Sequence, residues 1–243
     1  MIDASVPWYP FIDVLLVAGV ANEEETKLTG SIDKLELNQY INPTWYKEEE
    51  RDMLPVVRKF SKDEVVKFMK KNLPFGDFLH DYDSIVKDVP EEEVKEQLWE
   101  YLLPKYQKLL DRYSAHPFVY IKRNGKALSS TNIDRIDFSP TKAHPQLIVR
   151  KDKKDYSVSL EWIIDNNAIA FKDVKMLNAG LLLFDKKIFS LGNYQEIQLA
   201  EIFQPAGEMR ISVADWPAFL QEKLMVWSSQ VHVNFSEELV DYV

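Results

Sequence analysis

The 243-residue chain has no cysteine, which excludes disulfides, thiolate nucleophiles, Cys-ligated zinc and iron–sulfur clusters. It has only seven glycines, and Gly19, Gly30, Gly76, Gly125, Gly180, Gly192 and Gly207 all stand apart. Phosphate-cradling loops need glycines in clusters, so GxxxxGK[ST] and GxGxxG are missing, as is the G-x-S-x-G turn of a nucleophilic serine. No apolar run approaches the roughly 18 residues that a membrane span requires. The stretch Phe11–Ala21 is interrupted by Asp13, lacks a basic leader and reads as a strand entering a core. The four histidines, His80, His116, His144 and His232, show no metal-ligand spacing and read as structural, with His232 facing outward on a strand. The acidic runs Glu23–Glu25, Glu48–Glu50 and Glu91–Glu93 do not converge on a cation, because consecutive helical residues point about 100 degrees apart. No metal and no cofactor is expected.

What is present suits a globular protein with a real core: 46% of residues are hydrophobic, enough to keep the chain out of the disordered class. Net charge is 30 − 39 = −9, unevenly spread. Residues 1–113 hold 15 basic and 23 acidic side chains, a balance of −8, and residues 114–243 hold 15 and 16, a balance of −1. Local structure changes at the same place. Before it, two or three strands in residues 1–46 lead into helices. The first covers Glu48–Phe60. A second, opened by the capping-box pair Ser61 and Glu64, buries Val65, Phe68, Met69 and Leu73. A short helix follows Pro74 through Phe75, Phe78 and Leu79. A long one starts at Glu91 with Val94, Leu98, Tyr101, Leu102 and Leu109 on one face, and a kink or break is expected at Pro104.

After Tyr113 the apolar period falls from 3.6 to 2. Phe118, Tyr120 and Ile121 precede an Asn124–Gly125 turn. Leu147 and Val149 form a hairpin with Tyr156, Val158 and Leu160 across the polar segment 150–155. Ile169 and Phe171 make another strand, and Leu181–Phe184 and Ile188–Leu191 flank a tight turn at 185–187. Ile197, Leu199 and Ile202 extend that sheet. Asp215 caps a late helix over 215–227 with Phe219, Leu220, Leu224 and Trp227 inward, and VHVNF closes the pattern as a strand. The expected fold class is α+β: a helix-rich part, 1–113, packed against an antiparallel β-rich part, 114–243, with one late helix. Trp99 and Trp162 are expected in their common interface.

Two basic clusters fall at hairpin turns of the less acidic half, Lys122, Arg123 and Lys126 around one and Arg150, Lys151, Lys153 and Lys154 around the other. Cations so placed can meet phosphates without reading bases. Solvated turns commonly carry the same composition.

The stretches LPVVRKFSKDEVVKFMKKNLPFGDFLHDY and EEEVKEQLWEYLLPKYQKLLDRY, followed by YSVSLEWIIDNNAIAF, AGLLLFDKKIFSLG and EMRISVADWPAFLQEKLMVWSSQVHVNF, resemble the N-terminal, non-motor region of bacterial SNF2-type helicase-like ATPases, particularly of the Bacteroides group. The resemblance covers roughly residues 50–243. It implies a cytoplasmic accessory region that binds DNA or a protein partner and restrains the two RecA-like ATPase lobes following it. It carries over no catalytic residue. Two rival readings are an independent hydrolase with a carboxylate pair in a cleft between the halves, and a surface protein using exposed tryptophans to bind glycans.

Overall fold

The computed structural model describes residues 1–3, 12–24, 26–35, 52–72, 92–123, 126–152, 154–177, 180–204, 206–236 and 239. The short helix expected at 75–79, Leu73, the Asn124–Gly125 turn and residues 48–51 of the first expected helix lie outside them. The fold is mixed α+β. Contacts divide the chain into one unit of residues 1–140, 177–179 and 185–188, and a second of residues 141–176, 180–184 and 189–243.

In the first unit, strands β1 (Ile2–Asp3), β2 (Asp13–Val14), β3 (Val17–Ala21) and β4 (Leu28–Lys34) precede helices α1 (Met53–Arg58), α2 (Lys62–Asn72) and α3 (Glu92–Arg112), then β5 (Tyr120–Lys122) and β6 (Ile133–Arg135). One half of the expected capping box forms at the start of α2, the Ser61 hydroxyl accepting the Glu64 N–H at 3.4 Å, while Glu64 Oε1 accepts from Lys67 Nζ at 2.7 Å. Val65 and Met69 are buried, and Phe68 stacks on Tyr101 of α3 at 4.3 Å. Leu98, Trp99, Leu102, Leu103, Tyr106, Leu109 and Leu110 bury the opposite side of α3, and this broad apolar face carries the helix through Pro104. Beside that proline, Lys105 Nζ donates to the Tyr101 carbonyl at 2.6 Å and lies 3.1 Å from the Tyr101 ring centroid. Burial lowers the Lys105 ammonium to about 8.

The short strands form a sheet in the order β2–β1–β5–β6. β1 runs parallel to β5, with Ile2 opposite Ile121, so the segment after Tyr113 is tied to the start of the chain. The Met1 ammonium donates to the Leu15 carbonyl at 2.8 Å, and burial lowers its pKa to about 5. β3 and β4 form a separate antiparallel hairpin. Here the expectation of a strand entering a core holds for part of the run only: Ile12 is buried and Val17 packs against Ile32, Tyr120 and Ile133, whereas Ala18, Gly19 and Val20 are exposed, Val20 at 70%, beside an irregularity in the β3–β4 register between Gly19 and Val20.

Strand β7 (Asp137–Lys142) leads to β8 (His144–Asp152), β9 (Asp155–Ile164), β10 (Asn167–Ala170), β11 (Lys175–Leu177), β12 (Leu181–Phe184) and β13 (Lys187–Ser190). β11–β12–β13–β7 is one sheet. The main sheet of the second unit runs β10–β9–β8–β15, with β14 (Glu208–Ser212) also pairing β9 and β15 (His232–Phe235) parallel to β8. Leu147, Val149, Val158, Leu160, Trp162 and Ile164 bury one face of the β8–β9 hairpin, in the register that strict alternation predicts. Asp165–Asn166 and Asp185–Lys186 all have φ between 45° and 65°, the left-handed backbone that two-residue hairpin turns need.

Three sequence expectations are corrected in this unit. Residues 197–202 are helical: α4 (Tyr194–Phe203) opens on Asn193, whose side chain accepts the Glu196 N–H, and Ile197, Ala200 and Phe203 complete a 3.6 period. The β-rich half therefore holds more than one late helix. Phe171 begins a 3₁₀ turn (Phe171–Asp173) instead of ending a strand, and its ring lies 5.6 Å from that of Trp162. The late helix comprises α5 (Trp216–Phe219), a π-helical turn (Leu220–Leu224) and α6 (Met225–Ser228). Asp215 stands at its N-cap position without bonding a helix N–H, because its carboxylate accepts the Ser212 hydroxyl at 2.7 Å. Leu224 and Trp227 face inward, while Phe219 and Leu220 are half-buried.

Candidate nucleic-acid interface

The first basic cluster is largely consumed by carboxylates. Lys122 ends β5, where the parallel pairing with β1 brings Asp3 beside it, and Nζ meets Oδ2 at 2.8 Å with both side chains mostly buried. Arg123 grips Asp134 of β6 with Nε at 2.9 Å and Nη2 at 2.6 Å. That two-pronged hydrogen bond raises the arginine's pKa and holds the Asp134 carboxyl below its usual range. Lys126 is exposed. A phosphate approaching this turn would have to displace two carboxylates already in place.

The second cluster is more open. Arg150, Lys151 and Lys154 are exposed at the tip of the β8–β9 hairpin, and Lys153 lies outside the described residues. Arg150 Nη1 lies 3.4 Å from Ser159 Oγ. Register adds a cation that sequence reasoning missed: Arg150 and Arg210 are both partners of Ser157, so β8, β9 and β14 set two guanidinium-bearing positions in one row on one face of the sheet. Arg210 makes only a loose contact with Glu208, 3.6 Å between two well-exposed side chains. Asp152 and Asp155 face each other across the same tip, so its net charge stays small. The two clusters belong to different units, and each stands as a site by itself.

One histidine–carboxylate pair also escaped the sequence reading. His144 Nδ1 lies 2.8 Å from Glu196 Oε1, and Glu196 Oε2 accepts the Gly192 N–H at 2.6 Å. The carboxylate is almost wholly buried, whereas His144 is half-exposed. Asn193-x-x-Glu196 has capping-box spacing, the signal that could have revealed this pair. Glu196 thus closes the start of α4, and His144 covers its second oxygen. The arrangement fixes one ring nitrogen of His144, as a general base requires, but the described contacts bring no nucleophile to the other. His116 accepts the Phe118 N–H on Nδ1 at 3.2 Å, His232 is exposed on β15, and His80 lies outside the described residues.

Among the described residues no three His, Cys, Asp or Glu side chains could hold a metal ion. No helix among them is long and apolar enough to cross a membrane. Trp99 and Trp162 are fully buried and Trp227 nearly so. Trp216 is half-buried, stacked on Tyr156 at 4.0 Å and beside Phe219 at 5.9 Å. Trp8 and Trp45 lie outside the described residues. A hollow of about 280 Å³ in the first unit is lined by Asp52, Met53, Arg112, Tyr113 and His116, but Arg112 is already paired with Asp52 at 2.7 Å. No protein-family model, no curated protein and no solved structure matches the chain.

Proposed function

We propose that the chain is a non-catalytic accessory region of an SNF2-type DNA-dependent ATPase, and that it touches the DNA backbone through the tip of the β8–β9 hairpin. The observation that carries this reading is the exposed set Arg150, Lys151, Lys154 and Arg210, in which strand pairing sets Arg150 and Arg210 in one row, while Lys151 turns to the other face and Lys154 sits in the turn. Strand pairing fixes the spacing of Arg150 and Arg210, and long cationic side chains at fixed spacing suit phosphates of either strand without reading sequence. The resemblance of residues 50–243 supplies the wider role, restraint of the two motor lobes or docking of a partner. Asp152 and Asp155 limit the attraction, so the contact is weak and sequence-independent.

The test is fluorescence anisotropy of labelled duplex DNA across a salt series. Three to four phosphate contacts give a slope of log K against log salt of about −2.7 to −3.6, or roughly a 40- to 150-fold loss of affinity between 50 and 200 mM salt. An affinity that does not change with salt would reject phosphate contact. The accessory role has its own check: the reading frame should continue beyond Val243 into two RecA-like lobes, and adding the chain to those lobes should change their DNA-dependent ATP turnover.

A further inference from the structure

We propose that the aromatic side of the β8–β9 hairpin tip stacks an unpaired nucleobase, so that the DNA this chain grips is a duplex with an unpaired end. The inference rests on the DNA contact proposed above and names the kind of DNA that suits it. A continuous series of rings runs through the second unit. Phe203 meets Trp227 at 5.9 Å, Trp227 meets Phe219 at 5.6 Å, Phe219 meets Trp216 at 5.9 Å, and Trp216 stacks on Tyr156 at 4.0 Å with 11° between the planes. Exposure rises along it: Phe203 and Trp227 are buried, while Phe219, Trp216 and Tyr156 are half-buried. The series therefore starts in the core and ends at Tyr156, beside the turn.

The polar edges of the last two rings are unused. The hydroxyls of Tyr101, Tyr106 and Tyr113 each donate to a backbone carbonyl, and that of Tyr120 accepts the Leu28 N–H. The Tyr156 hydroxyl and the Trp216 indole N–H bond to no protein group. Tyrosine and tryptophan with an apolar body and an open polar edge are the residues that binding surfaces favour. Anchorage on the core fixes these rings before any ligand arrives, so stacking on them costs little side-chain entropy.

Charge selects a nucleotide among the ligands that stack on rings. Lys151 is the cross-strand partner of Tyr156 on the same face, and Lys154 lies in the turn two residues before it. Alternation turns Asp152 and Asp155 to the opposite face, with Arg150. Asp215, next to Trp216, accepts the Ser212 hydroxyl at 2.7 Å. A base on Tyr156 leaves its phosphates beside Lys151 and Lys154, while Arg150 and Arg210 hold the adjoining backbone on the other face. Stacking tolerates any sequence, because every base has a π face. A base within a duplex has both faces covered by its neighbours, whereas an unpaired base at an end can swing onto the ring.

Anisotropy with three labelled DNAs tests the proposal: a blunt duplex, the same duplex with three unpaired thymidines at its 3′ or 5′ ends, and one whose overhangs of equal length are abasic. The abasic overhang keeps the phosphates and removes the bases, so a difference between the last two belongs to stacking. One base stacked on an aromatic side chain adds roughly 5- to 150-fold in affinity, so the thymidine overhang should bind at least about fivefold tighter. Tyr156→Leu should erase that difference, and Tyr156→Phe should keep it. In case the leucine variant misfolds, 5-iodouracil in the overhang gives a second readout on the parent chain: irradiation should crosslink it to the peptide carrying Tyr156 or Trp216. Equal affinity for the two overhangs, a difference that survives in folded Tyr156→Leu, crosslinks confined to other residues, or displacement of the overhang by a neutral oligosaccharide would each overturn the proposal. Salt-dependent binding of the blunt duplex with no gain from the thymidines rejects this inference alone. Failure to bind any of the three DNAs rejects the backbone contact as well.

Discussion

Glu196 is buried by closing the start of α4, and removing its carboxylate should expose how much that cap contributes. In Glu196→Ala the Gly192 N–H loses a charged acceptor at 2.6 Å, a loss of about 1.5–3 kcal/mol. His144 loses its partner too, but its half-exposed ring regains water, so that contact adds no more than about 1 kcal/mol. The sum is roughly 2–4 kcal/mol, which for a chain of this size lowers Tm by about 5–15 °C. Glu196→Gln keeps one acceptor oxygen and should cost about 1 kcal/mol. Gly192→Ala tests the same contact from the other side, because its Cβ would lie 2.9 Å from Glu196 Oε2 and force the carboxylate away. Urea unfolding with an unchanged m-value is the assay. A Glu196→Ala loss below about 0.5 kcal/mol, or a larger loss from His144→Ala, would refute the cap as the reason for this pair.

Other substitutions probe the remaining contacts. Asp3→Ala strands the mostly buried Lys122 ammonium and should destabilise by about 2–4 kcal/mol, with much of the loss recovered in Asp3→Ala/Lys122→Met; equal loss in the double variant would contradict it. Gly207→Ala should lower stability by about 1–3 kcal/mol in urea unfolding, because the site has φ +71° and the added Cβ would meet Phe171 at 3.0 Å. The Met1 amine predicts a pH dependence. Its folded pKa of about 5 lies below the unfolded value of 8.0, so the unfolded state binds the extra proton and stability rises from pH 5 to 8. That contribution is complete above pH 8 and lost as pH falls toward 5, and urea unfolding at pH 8.5, 7 and 5.5 should follow the slope; a flat profile would refute it.

The parts of the fold set by neighbouring residues were legible in the sequence. Ser61 and Glu64, three apart, announce α2, and Leu147, Val149, Val158 and Leu160 announce the central hairpin in its observed register. The segment 194–203 misled because Ile197 and Leu199 alternate like a strand. Asn193 and Glu196 decide the matter through a cap whose carboxylate is finished by His144, 52 residues away. The candidate site divides in the same manner. The cations at 150–154 were visible as a turn, but Arg210 joins them only through strand pairing. The loss of Lys122 to Asp3 depends on a parallel contact across 119 residues, which no local pattern reveals.

The most direct test of the functional account compares the salt dependence of DNA binding in the parent chain and in Arg150→Gln/Lys151→Gln/Lys154→Gln/Arg210→Gln. All four positions are solvent-exposed, so the variant should keep its fold and its urea midpoint. The account predicts that the slope of log K against log salt falls toward zero by about 0.9 for each phosphate contact removed. A folded variant that binds duplex DNA with the parent's slope would contradict it.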